Sequence, residues 1–286
     1  MTNRPATDSG RRRAMRRLLR NKVAFASLLF LVFVHVAVFA GPLGWRVSPE
    51  SMSPGAALAG WSSQHPLGGD DLGRDELSRM LHGGQVTLAV GFLSMAFSVV
   101  LGVIIGAFAA FYGGVVDAVL MRLTDAMLAI PNFFFALVAL TVLGKSPLMV
   151  VLVIALSSWM QVSRVVYGET LKWKSYEFVE ASVATGATPL RTLLRHILPQ
   201  TLPSVIVSAT LGIAWAILTE SAISYLGLGI QAPTPSWGNM LQNAQQYVWT
   251  APILAALPGA GITLVVLAYN FLGDGLRDAL DPRVIR

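Results

Sequence analysis

Six apolar runs, separated by polar or turn-rich segments, organise this chain of 286 residues. They fall at residues 23–40, 86–111, 126–143, 147–163, 201–219 and 252–272. A helix needs about 20 mostly apolar residues to cross the hydrocarbon core of a bilayer, so each run predicts one transmembrane helix. The second run, at about 1.5 Å per residue, would reach about 39 Å and must tilt or protrude. It holds Gly102-Val-Ile-Ile-Gly106, a spacing that lets membrane helices pack closely, although a Gly-rich chain also produces it by chance.

One segment breaks the alternation of spans and turns. Between runs four and five lies a polar island, residues 180–199, following Lys172 and Lys174. Ser175 is placed to cap a helix over residues 176–184, with Glu177 and Glu180 in its early turns. Thr185-Gly186 should break it, because Gly accepts the left-handed conformation of a helix end. Thr188-Pro189 reads as a second start, with Thr as N-cap and Pro at the first helical position. Leu190, Leu193, Leu194 and Ile197 share one face, Arg191 and Arg195 another. The expectation is two short helices at an angle, with small residues (Ala181, Ser182, Ala184, Gly186, Ala187) at the bend. Periodicity leaves two uses open: docking to another protein, or lying on the inner leaflet.

Charge sets the orientation. Only 13% of residues are charged, against about 25% in soluble domains. Residues 1–22 carry Arg4, Arg11, Arg12, Arg13, Arg16, Arg17, Arg20 and Lys22 against Asp8 alone, which places the N-terminus in the cytosol. Six spans return the C-terminus there. Inner segments then hold 17 basic and 9 acidic residues, outer segments 4 and 6. The net charge of +6 is therefore a topogenic signal and a contact for anionic lipid, not a nucleic-acid surface. The first run could also be a cleaved signal peptide, with Val38-Phe-Ala40 before Gly41. At 18 residues the run exceeds the usual apolar core of about 7–15, which favours an uncleaved anchor.

The organisation expected is a basic cytosolic tail (1–22), a first span (23–40) and an outer loop (41–84). A core of five spans (85–275) with its cytosolic loop (172–199) and a cytosolic tail (276–286) follow. The outer loop carries Asp70, Asp71, Asp75 and Glu76 beside Arg74 and Arg79, which reads as a solvated loop closing in an interfacial helix over residues 75–81. In the second outer loop, Trp237, Tyr247 and Trp249 suit a membrane–water interface.

Candidate chemistry is sparse. Cys is absent, and His65, His82 and His196 lack metal-ligand spacing. No G-x-x-x-x-G-K-[ST] phosphate loop exists; Gly144-Lys145 is the one Gly-Lys pair, in an outer turn. Glu220, at the outer end of run five, faces either a pathway or a partner subunit. Asp117, Arg122 and Asp125 cluster at the inner end of run three, where Arg122 can pair with Asp125. Arg164 should snorkel to the inner interface, and His35 should be a packed, hydrogen-bonded histidine. Met160 and Gln161, with Met95, Met127 and Phe133 to Phe135, could line a cavity, though helical spacing also reads as packing.

The island carries a resemblance. Glu180-Ala-Ser182, Gly186 and Leu198-Pro199 resemble the cytoplasmic E-A-A loop of ABC importer permeases, with Ser182 for the second Ala and His196 at the Ile position. The His196-Ile-Leu-Pro199 ending is similar to the peptide-importing branch. So are His65-Pro-Leu-Gly-Gly-Asp70, Glu220 to Gly229 running on to Pro235-Ser-Trp237-Gly-Asn239, and Asn270-Phe-Leu-Gly-Asp274 to Arg283. Gly69 stands where Thr is usual, and residues 251–256 lack the usual aromatics.

The resemblance implies the C-type permease subunit of a dipeptide, oligopeptide or nickel importer. It implies an all-α membrane protein with six transmembrane helices, N-in and C-in, in the type I ABC importer permease fold. It implies coupling through Glu180, Ala181, Ser182, Gly186, Leu198 and Pro199. It implies no cofactor on this chain, ATP and Mg on the partner ATPase, and residence in a bacterial cell membrane. The implied partners are a second homologous permease, two ATP-binding-cassette ATPases and an extracytoplasmic substrate-binding protein. The rival reading from the residues alone is a gradient-driven transporter using Glu220; no constellation converges as in a membrane enzyme.

Overall fold

A computed structural model describes residues 10–280, with side chains from residue 15 onward. Arg4 and Asp8, and the end of the motif at Asp281-Pro-Arg283, lie outside the described residues; so do the side chains of Arg11, Arg12 and Arg13. The described elements are helical, with two isolated bridges (Met52 with Arg74, Gly69 with Asp75). Helix α1 spans Gly10–Arg20, α2 Lys22–Gly44, α3 Glu76–Tyr112 and α4 Gly114–Leu128. Then follow α5 Asn132–Leu143, α6 Pro147–Lys174, α7 Glu177–Ala184, α8 Pro189–Thr192, α9 Leu198–Tyr225, α10 Trp237–Ala244 and α11 Ile253–Leu280. Five helices are long and apolar enough to span a bilayer, and α4 with α5 would make a sixth.

That sixth span departs from expectation. Residues 126–143 do not form one helix. The chain leaves α3 through Gly113 and Gly114, both in the left-handed region at φ +67° and +55°, and rises as α4. It then bends by 85° before α5. Pro131 causes the break: it disfavours helical geometry at Ile130 and itself caps α5.

Helix α3 packs most extensively on α6, then on α9. The Gly102/Gly106 spacing serves this contact. A Cβ on Gly102 would lie 2.6 Å from Cβ of Val162, and one on Gly106 would run into the Ser163 carbonyl. Two backbones thus approach where side chains cannot. The Ser98 hydroxyl donates to the Ala155 carbonyl at 2.9 Å beside it. On the other flank, α2, α9 and α11 share a core around Leu31, Ile217, Val265 and Trp237. His35 is packed and bonded as expected, to the Leu31 carbonyl at 2.8 Å and the Tyr269 hydroxyl at 3.3 Å. Within the basic tail, α1 docks Leu18 against α11, and Asn21 alone separates α1 from α2.

The outer loop corrects the expectation of a solvated acidic segment. Asp70, Arg74, Asp75, Glu76 and Arg79 are all buried. Arg74 Nε donates to Asp70 Oδ2 at 2.6 Å and Arg79 Nε to the same oxygen at 3.2 Å. Asp75 accepts from Trp45 Nε1 (2.7 Å) and from Ser78 N (2.8 Å), and lies 3.0 Å from His65 Nδ1. Asp75 therefore caps α3, which continues unbroken from residue 76 into the span; no separate interfacial helix forms.

Candidate functional site

The polar island forms a projecting unit at the end of the bundle where α3 and α6 finish. Its base is rigid. Lys174 Nζ donates to the carbonyls of Phe111 (2.6 Å) and Ala110 (3.4 Å), a cation on the C-terminus of α3. Glu169 on α6 accepts from Trp173 Nε1 at 3.1 Å, Lys172 Nζ at 3.2 Å and the Ser204 hydroxyl of α9 at 3.1 Å. Trp173, Tyr176 and Phe178 stack as a triangle with ring centroids 4.8 to 6.3 Å apart.

Helix α7 stands on this base. Its N-cap is Tyr176, not Ser175, whose hydroxyl instead donates to the Lys172 carbonyl and closes α6. Glu177 and Glu180 sit in the first turn, where the helix dipole favours them. At the far end Gly186 N bonds to the Val183 carbonyl (2.9 Å) and Ala187 N to that of Ser182 (3.1 Å). This is a Schellman closure, and Gly186 supplies its left-handed residue at φ +86°. Thr188 then caps α8 through Arg191 N at 3.4 Å, with Pro189 at N1, as expected.

The second helix is not a separate short one. From Pro189 the chain runs through a π-helical turn, Leu193–Ile197, directly into α9. An α-helical turn would drive the Pro199 ring into the Arg195 carbonyl; the wider turn avoids this, and Leu198 N reaches back to Leu193. The π turn also splits the expected leucine face. Leu193 and Ile197 are buried with Val179, whereas Leu190 and Leu194 are exposed.

Val179 is the one buried residue of α7. Two grooves flank that helix. One, of ≈ 470 Å³, is lined by Ala181, Ser182, Gly186, Arg191 and His196 among others. The other, of ≈ 420 Å³, is lined by Glu180, Lys174, Phe111 and Thr192 among others. The expected coupling residues thus gather around α7, except Leu198 and Pro199, which start α9. The Ser182 hydroxyl is buried and has no hydrogen-bond partner within the chain.

A second polar centre lies at the opposite end. Glu220 is 0% exposed. Its carboxylate accepts from the hydroxyls of Ser224 (2.8 Å), Thr87 (3.2 Å) and Ser221 (3.4 Å). The network extends outward: Trp237 N donates to Thr87 Oγ1 at 3.1 Å, and Ile230 N to Ser224 Oγ at 3.0 Å. Ser236 and Asn239 form a capping box on α10, and Asn239 Nδ2 holds the carbonyls of Ile230 and Thr234. Glu220 is therefore the hub that ties α3, α9 and the outer loop together, in place of the two outward-facing roles expected of it. Met160 is also buried, while Gln161 is exposed. Trp237 corrects the interface reading too: it is 3% exposed and donates to the Met80 carbonyl, whereas Trp249 is 95% exposed.

Sequence reasoning missed the partners of the inner charges. Asp125 pairs with Arg164 of α6, not with Arg122, so Arg164 does not simply snorkel. Asp117 accepts from Tyr167 at 3.0 Å. Spacing within one helix could not show a bond between two.

The family described as binding-protein-dependent transport system inner membrane component matches residues 98–286, and the N-terminal TM domain of oligopeptide transport permease C matches residues 9–66. The chain is 38% identical over 274 residues to the dipeptide transport system permease protein DppC of Alkalihalophilus pseudofirmus, covering 96% of this chain and 90% of that one. It is 36% identical over 275 residues to the oligopeptide transport system permease protein OppC of Haemophilus influenzae (94% and 88% covered). It is 38% identical over 270 residues to the glutathione transport system permease protein GsiD of Pectobacterium atrosepticum (94% and 90% covered). A chain of the MetNI methionine ABC transporter, in an inward-facing conformation, matches with a TM-score of 0.58 at 18% identity over 71% of this chain and 96% of that one, which establishes the type I importer permease fold. The chain belongs to the binding-protein-dependent transport system inner membrane component family, as a C-type permease of the dipeptide and oligopeptide ABC importers.

Proposed function

We propose that this subunit forms half of a translocation pathway for short peptides in a bacterial cell membrane, and that α7 with the turn at Gly186 receives the force of a separate ATPase. Family membership makes the chain a transport subunit rather than an enzyme, with hydrolysis on other polypeptides. It also sets aside the gradient-driven alternative. The partners of this reading are a second homologous permease, two ATPases carrying ATP and Mg, and a binding protein that delivers cargo from outside.

The observation that carries the coupling role is the mismatch between the base and the tip of the island. Lys174, Glu169 and the aromatic triangle fix the base to α3, α6 and α9, while on α7 only Val179 is buried and Ser182 half-buried, and the other six residues are exposed. A stiff lever with a bare end suits a docking partner. The π turn makes α8 continuous with α9, whose far end holds Glu220 and through it the outer loop. A push at α7 would reach both ends of the subunit as a rigid displacement, the kind of motion that alternating access needs.

Peptide cargo rests on the names of the relatives, which are dipeptide, oligopeptide and glutathione permeases. The coupling role is tested by Ala181→Trp, which fills the larger groove at an exposed position without straining the backbone. In the reconstituted complex this variant should lose ATPase co-purification and peptide uptake by at least tenfold. Wild-type docking together with wild-type uptake would remove α7 from the coupling role. Uptake of labelled dipeptide against labelled nickel by the wild-type complex tests the cargo.

A further inference from the structure

The exposed face of α6 near its inner end, which carries Gln161 and Arg164, has no account in the fold. Gln161, Arg164, Val165 and Gly168 follow helical spacing along one side, and Met160, Val162, Ser163 and Val166 are buried on the other. Nothing in the chain stands within 4 Å of a Cβ placed on Gly168, so this side is open. Arg164 projects from it to Asp125 of α4, and the two side chains remain 39% and 53% exposed. Arg122 is exposed three residues before Asp125 on the same helix.

The depth of this pair matters. Gly106 of α3 packs on Ser163, which sets Arg164 beside the apolar stretch that ends at Phe111. Arg164 also lies ten residues, about 15 Å along the helix axis, from Lys174 at the end of α6. A half-exposed ion pair and a glutamine at that level do not face hydrocarbon; intramembrane charges face a water-filled space or a protein neighbour. The pair is also weakly built as a structural tie, because α4 touches α6 only lightly.

We propose that the Gln161–Gly168 face of α6, with Asp125 of α4, is a wall of the water-filled cargo pathway, and that Arg164 and Asp125 receive the charged ends of a zwitterionic peptide. The chemistry is an exchange of partners. The peptide carboxylate takes the place of Asp125 at the Arg164 guanidinium, which binds it through two parallel N–H donors. The peptide ammonium takes the place of Arg164 at Asp125. Charge is conserved in the exchange, so cargo enters with no unpaired ion. A bare divalent cation would gain Asp125 but meet Arg164 and Arg122. The inference rests on the peptide reading for its ligand, and on exposure and depth for its wall.

The chain contains no Cys, so single substitutions can be labelled without background from it. Gln161→Cys and, as a lipid-facing control on α2, Phe33→Cys are made in the complete complex with its ATPases and binding protein, in liposomes. A charged, membrane-impermeant methanethiosulfonate should modify Gln161→Cys and leave Phe33→Cys unmodified. Glycyl-leucine during turnover should slow the modification at least threefold, and Arg164→Gln should abolish that protection while leaving the modification itself. Failure to label Gln161→Cys in the complex, with labelling of the solubilised single chain, would assign the face to a contact with the partner permease and overturn the wall. Protection unchanged by Arg164→Gln would overturn the ligand role. If the wild-type complex imports no dipeptide while Gln161→Cys still labels, the peptide reading fails and the wall stands.

Discussion

At the residue scale, the buried carboxylate of Glu220 shows how one side chain organises a loop. Three hydroxyls point at it, and two of them, Thr87 and Ser224, also accept backbone N–H groups from the outer loop. Truncation to Ala removes the shared acceptor and leaves buried hydroxyls unpaired, at about 1–3 kcal/mol for each group that finds no new partner. Glu220→Ala should therefore lower the thermal unfolding temperature of the purified complex and loosen Trp237, detected as a red-shifted tryptophan emission. Glu220→Gln keeps the shape and one acceptor, and hydroxyls can rotate to receive its amide, so its loss should be markedly smaller. Equal destabilisation by both would mean that the charge, not the hydrogen-bond count, organises the hub. Gly186 is a different case. Its surroundings are open and its φ is +86°, so Gly186→Ala should cost about 1 kcal/mol through backbone strain alone. The cost should fall on α7, read as faster amide exchange over residues 177–184 with the rest of the chain unchanged.

At the element scale, the α3–α6 contact separates two kinds of glycine. Gly106 meets the Ser163 backbone, which cannot move aside, whereas Gly168 faces open space on the same pair of helices. Gly106→Leu should prevent close packing and sharply reduce the yield of folded complex. Gly168→Ala should be neutral or stabilise α6 by about 0.5–1 kcal/mol, since Gly in a helix interior costs that much relative to Ala. Thermal unfolding of the two variants checks the opposite signs. This contact was legible in the sequence as a Gly-x-x-x-Gly spacing, but its partner was not, because spacing names a face and not a neighbour. The same limit explains Asp125, whose expected partner three residues away lost to Arg164 on another helix. Spans one, two, four, five and six were readable because length and apolarity decide them. The third was misread as straight, since apolarity continues through Ile130-Pro131 while the backbone does not. In the island the caps at Gly186 and Thr188 were readable from local chemistry. The π turn was not, because it answers Pro199 from within an otherwise helical pattern.

At the scale of the whole molecule, the isolated chain is uneven in how well its parts are held. Helices α3 and α6 bury broad faces in each other, and α9 joins them with the Glu220 hub. Helices α4 and α5 differ: Val115, Val119, Leu123, Val138 and Val142 are all exposed, and the bend at Pro131 prevents one continuous contact. Some of that surface is lipid-facing. The exposed Arg122 and Asp125 of α4 belong to the proposed pathway, so a partner is sought on the apolar positions of these helices. Each of these helices buries only two residues, Met121 and Thr124 on α4, Ala136 and Leu140 on α5, which implies low local stability, so α4 and α5 should open below the global unfolding free energy. Hydrogen exchange on the single chain in detergent should then show fast exchange across residues 114–143 and slow exchange across the centres of α3 and α6. In the assembled complex the amides of α5 and of α4 outside the turn Arg122–Asp125, which the proposed pathway keeps wet, should slow by at least tenfold, because the partner permease would cover them, while α3 and α6 change little. The face of α6 at Gln161 is a useful internal contrast, since a pathway wall stays wet after assembly and a subunit contact does not. Uniform slowing of every span on assembly would mean that the subunit folds as one unit with its partner. Slowing confined to α4 and α5 would identify these two helices as the part of the bundle that the second permease completes.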